Sequence, residues 1–119
     1  MLGKNFTDIL STAQSLPANI TVFFLLHDED VESNKVVIGK KVKTVGSLVD
    51  NHFAPLELVN IALWAMAEHT KDGLVHHLYT QETIVDGIKY PAKSPEGMFD
   101  ELTIPNDYQL IVDKINGYY

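Results

Sequence analysis

The chain contains no cysteine, which removes disulfides, thiolate nucleophiles, cysteine zinc sites and iron–sulfur ligation in one step. The absence is compatible with a reducing cytosol. Arginine is missing as well: all nine basic residues are lysines, set against 16 acids for a net charge of −7. Arginine's planar fork is the preferred reader of phosphates and guanine edges, so an acidic chain without it is a poor nucleic-acid binder. Long apolar runs are also lacking. The longest, Val22–Leu26 and Ile61–Ala67, fall far short of the ~20 residues a membrane-spanning helix needs. No long apolar stretch follows the first lysine, so no signal peptide is expected. These absences predict a cytoplasmic protein with no membrane partner.

Motifs are absent too. There is no GxGxxG, Walker loop, GxSxG elbow or HExxH, and no cofactor is expected. What is present is an ordinary globular composition, 45% hydrophobic and 21% charged over 119 residues. A chain of that length buries roughly two-thirds of its unfolded surface without a disulfide or metal. With no repeat and no Gly/Ser/Pro-rich linker, residues 1–119 are expected to form one domain.

Periodicity predicts the elements. Phe6, Ile9, Leu10, Ala13 and Leu16 trace one stripe of a helix over 5–15, capped by Asn5 and ended by Pro17. Residues 20–27, ITVFFLLH, read as a central strand, followed by an acidic loop of about seven residues and a strand over 35–44. Ser47 would cap a short helical turn over 46–52. Residues 54–71 read as the longest helix, with Pro55 in its first turn and Gly73 behind its end. A strand over 74–81 follows. Asp86-Gly87 between apolar β-formers predicts a type I′ hairpin. Residues 91–105 read as irregular, and Asn106 would cap a last helix over 107–116, closed by Gly117. The expected fold is α+β, an antiparallel sheet of about four to five strands with helices packed mainly on one face.

On the helix expected over 54–71, Glu57, Asn60, Glu68 and Lys71 form a narrow polar stripe on an otherwise apolar rod. Trp64 lies in the middle of that stripe. A large amphipathic indole there suggests a contact site of Trp64, Glu57, Asn60 and Glu68, against the plainer reading of a tryptophan covered by the segment near Pro95. Asp28, Asp30 and Glu32 alternate like the first ligands of a calcium loop, but Ser33 and Gly39 stand where that loop needs glycine and a bidentate glutamate. A solvated loop and no metal is the expectation. Lys35, Lys40, Lys41 and Lys43 form the one basic cluster, read as a solvated strand face that discourages edge pairing.

The leading functional expectation is a small, non-enzymatic binding or accessory protein acting through protein–protein contacts. Modules of phages and mobile elements share this profile. A protein partner is expected, including a homodimer that would cover the apolar helix. One alternative is a hydrolase-like enzyme pairing His27 or His76 with a carboxylate. Another is a small-ligand pocket lined by Phe23, Phe24, Trp64 and Tyr79.

Overall fold

Three tight turns organise the strands. Asn34 and Lys35 both hold positive φ (53° and 65°), as do Asp86 and Gly87 (52° and 77°). Two consecutive positive-φ residues make a type I′ turn, whose twist matches the strands it joins. The third turn, Lys71-Asp72, is followed by Gly73 at φ 114°. Each turn folds a strand directly back on its neighbour.

The computed structural model describes residues 2–17, 19–43 and 59–119, with side chains from residue 8 onward. The protein is mixed α+β, with two helices and two sheets among the described residues. In chain order the elements are α1 (Leu2–Gln14), β1 (Asp28–Ser33), β2 (Val36–Val42), β3 (Trp64–Thr70), β4 (Gly73–Tyr79), β5 (Thr83–Val85), β6 (Ile88–Tyr90), β7 (Thr103–Pro105) and α2 (Tyr108–Tyr118). One sheet runs β1-β2-β6-β5, the other β3-β4-β7. The first is not purely antiparallel: β2 and β6 run parallel, with Gly39 opposite Lys89. Contacts divide the chain into two compact units, residues 1–29 with 42–59, and residues 30–41 with 60–119.

The second unit has a clear core. β3 and β4 pair antiparallel from Trp64 opposite Tyr79 to Thr70 opposite Gly73, and β7 adds Ile104 opposite Leu78. Side chains alternate across a strand, so Leu78 and Ile104 point to one face and Trp64 and Tyr79 to the other. On the first face Ile111 of α2 is buried against Leu78 and Ile104, joined by Leu63, Phe99, Leu110 and Ile115. On the second, Tyr90 of β6 meets Trp64 edge-on (centroids 6.5 Å apart) and Tyr79 at 5.8 Å. The sheet is thus covered by a helix on one side and by an aromatic cluster on the other. A paired bridge, Ala62 with Lys93, extends the contact beyond β3.

In the first unit α1 buries Leu10, while Ile9 and Leu16 of the expected stripe are exposed. The helix starts at Leu2, so Asn5 is inside it rather than its cap. It ends ahead of Pro17 as expected, with Ser15 N–H donating to Ser11 and Thr12 carbonyls and the Thr12 hydroxyl donating to the Asp8 carbonyl.

Several expectations are corrected. Residues 64–70 are a strand, not the second half of a helix. The turn at Lys71-Asp72 and the strongly β-forming LVHHLY behind it supply a cross-strand partner, and pairing overrides helical periodicity. Residues 20–27 belong to no strand. The acidic stretch is not a loop but β1, which pairs with β2 through the two-residue Asn34-Lys35 turn. The last helix is capped by Asp107, not Asn106: the Asp107 carboxylate accepts the N–H groups of Gln109 (2.9 Å) and Leu110 (3.3 Å). Gly117 lies within that helix, which runs on to Tyr118. The turn expected over 46–52, the start of the helix over 54–58 and Glu57 lie outside the described residues.

Candidate functional site

Of the four residues expected to form a contact site, Glu57 lies outside the described residues, and no helix aligns Asn60, Trp64 and Glu68. Trp64 is buried, with 8% exposure, and packs on Tyr90. Asn60 is exposed ahead of β3, and Glu68 is exposed on the outer part of that strand. Trp64 and Glu68 share a strand face, but four residues of extended chain separate them by about 13 Å. What the indole does is hold the aromatic cluster of its own unit.

The charged stretches prove to be two arms of one hairpin. Lys40 pairs with Asp30 across β1 and β2, which neutralises part of both the acidic stretch and the basic cluster. No group of three or more candidate ligands able to hold a metal occurs among the described residues. Of the described histidines, His27, His69 and His76 are exposed, and His77 packs edge-on against Tyr79 at 5.7 Å. None is hydrogen-bonded to a carboxylate among the described residues, so the pair that a hydrolase reading needs is not formed there. Phe23 and Phe24 belong to the first unit, Trp64 and Tyr79 to the second.

Three surface features remain. The first is an open groove of about 810 Å³ along α2, where Met98 and Leu110 lie among Asp100, Asp107, Asp113 and Lys114. Asp107 is committed to capping and Asp113 accepts from Gln109 Nε2 at 2.9 Å. The second is the outer β3–β4 hairpin, in which every residue from 67 to 76 is exposed. The register sets His69 beside Leu74 and His76 beside Ala67 on one face, with Glu68 beside Val75 on the other.

The third is the segment over 20–26. Ile20, Val22, Phe23, Leu25 and Leu26 are all exposed, and Leu25 is 92% accessible. Leu16 and Ile9 of the same unit are exposed too. The segment sits in a longer stretch of unusual chemistry: from residue 9 through residue 26 no side chain is ionisable, in a chain that is 21% charged. Soluble chains scatter their exposed apolar residues, and a run of them marks an interaction site. Apolar content pointed to this stretch but suggested a buried strand. The signal overlooked in the sequence is the length of the charge-free run.

No helix among the described residues is long and apolar enough to cross a membrane. No family model, curated protein or solved structure matches the chain.

Proposed function

We propose that the protein is a non-enzymatic binding protein that works through protein–protein contacts, with residues 20–26 as its contact surface. The observation that carries this reading is the exposure of Ile20, Val22, Leu25 and Leu26 in sequence, with no charge among them. A chain leaving these groups in water forgoes roughly 25 cal/mol per Å² of apolar area. Contact with another protein recovers that free energy. β-branched and aromatic residues in one run are also the composition that adds a strand to a neighbouring sheet edge. Trp64 has no part in this surface, since its indole is occupied within the second unit.

The test is affinity capture from the native host with wild-type protein and with Leu25→Glu. Leu25 makes almost no contact with its own chain, so the variant keeps its fold, read by circular dichroism and Trp64 fluorescence. The reading expects proteins retained by the wild type to be lost with the variant. Identical capture by both refutes it.

A further inference from the structure

We propose that the partner of the segment over 20–26 is the same segment of a second copy of this chain, paired antiparallel about a two-fold axis. This deepens the proposed function and rests on that reading of the segment.

Charge selects the occupant. Each copy carries −7, so two copies repel wherever their acids face each other. A surface that meets itself must therefore be free of charge, and residues 9–26 form the longest uncharged stretch in the chain. A partner of opposite charge would instead be met by the acids, such as Asp28 and Glu32, which lie outside this segment. Charge also selects the orientation. Asp28, Asp30 and Glu32 follow the segment directly. In a parallel pair they would lie beside their own copies, like charges side by side. In an antiparallel pair they run past the opposite end, toward the uncharged stretch that precedes residue 20 and away from their own copies. The two-fold axis makes the contact isologous and closed, which gives a dimer rather than a fibre.

Apolar surface is available for such a contact: Ile20, Val22, Leu25 and Leu26 are all exposed, Leu25 at 92%, and Ile9 and Leu16 of the same unit are exposed too. Among the described residues, 20–26 belong to no strand, and the hairpin ladder reaches only as far as His27, whose carbonyl accepts the Lys43 N–H at 2.8 Å.

The test is sedimentation velocity of the full chain from nanomolar to high micromolar concentration, at low and high salt. The proposal expects a reversible monomer–dimer equilibrium that tightens with salt, as screening weakens the repulsion between acidic copies. Leu25→Glu acts once in each copy and is expected to weaken the dimer by about a hundredfold or more. Because the chain has no cysteine, single cysteines placed at each position from 20 to 26 report the orientation under mild oxidation. An antiparallel pair gives one maximum of disulfide yield at the axis, falling off to both sides.

A monomer at every concentration overturns the proposal, as does a dimer indifferent to Leu25→Glu or a disulfide yield uniform along the segment. A monomeric wild type whose captured partner is lost with Leu25→Glu overturns self-pairing and leaves the contact surface standing. A monomer whose capture is unaffected overturns both.

Discussion

Replacing Thr80 by valine tests the packing of the second unit through its most enclosed polar group. Thr80 is 1% exposed, the one buried polar residue among those described. Its N–H donates to the Leu102 carbonyl at 2.9 Å, and its hydroxyl reaches the carbonyls of Glu101 (2.7 Å) and Leu102 (3.1 Å). Its own carbonyl accepts from the Ser94 hydroxyl at 2.9 Å, which in turn accepts from Gln81 Nε2 at 2.9 Å. The residue therefore ties the end of β4 both to the segment leading into β7 and to the one leaving β6. Valine keeps the shape and the N–H bond but deletes the hydroxyl, leaving the Glu101 carbonyl short of a donor. Losing a bond and stranding its partly buried acceptor costs about 2 kcal/mol. Serine keeps the hydroxyl and loses one methyl, which costs about 0.8 kcal/mol. The assay is urea unfolding followed by the fluorescence of the single tryptophan, which sits in this same unit against Tyr90. With an m-value of about 2 kcal/mol per M, the valine variant should lose about 1 M in midpoint, and serine less than half of that. A valine variant as stable as wild type, or a serine variant less stable than valine, would refute the network's role.

Trp64→Ala should cost about 3–5 kcal/mol, the range for emptying a buried aromatic site, and should abolish cooperative unfolding by near-ultraviolet circular dichroism; a stable, well-folded variant would return Trp64 to the list of surface anchors. At Gly39 an added Cβ would meet the Lys89 backbone carbonyl at 3.3 Å. Since that carbonyl belongs to the paired strand β6, Gly39→Ala should destabilise by about 1 kcal/mol in thermal unfolding, whereas a stabilised variant would show that the parallel β2–β6 pair has room to part. Asp107→Ala removes the α2 cap and should cost about 1 kcal/mol, while Asn106→Ala, outside the capping bonds, should cost measurably less.

Turn chemistry was the most legible layer of the sequence. Asp86-Gly87 was readable as a type I′ turn because positive φ at two successive positions demands such residues. Asn34-Lys35 makes the same turn but was hidden, because lysine does not advertise positive φ and the flanking acids resemble a solvated loop. Asp72-Gly73 carried the same dipeptide as Asp86-Gly87, yet the apolar run over 61–67 invited a helix. A run that is apolar on all sides has no period, so it cannot distinguish a helix from a strand. The partner decides, and here it is β4. The strand expected over 20–27 is not formed: its β-propensity is real, but among the described residues only His27 is joined to a neighbouring strand, through the Lys43 N–H.

The contact-site expectation around Trp64 depended on helical spacing, whereas residues 64–70 are a strand and Trp64 is buried. The exposed apolar segment over 20–26 was visible in the sequence only as a gap in the charge distribution, which periodicity analysis does not weigh. Apolar content alone could not show that Leu25 would stand in water.

The most direct measurement of the account is residue-resolved amide hydrogen exchange at a concentration low enough to keep the chain monomeric. Amides of Leu25 and Leu26 should exchange near the rate of an unprotected peptide, while Leu78 and Tyr79, held in the β3–β4–β7 sheet, should be strongly protected. Protection of Leu25 and Leu26 equal to that of Leu78 in a monomer would mean that this part of the segment is already paired within its own chain, and the surface proposed for contacts would not exist.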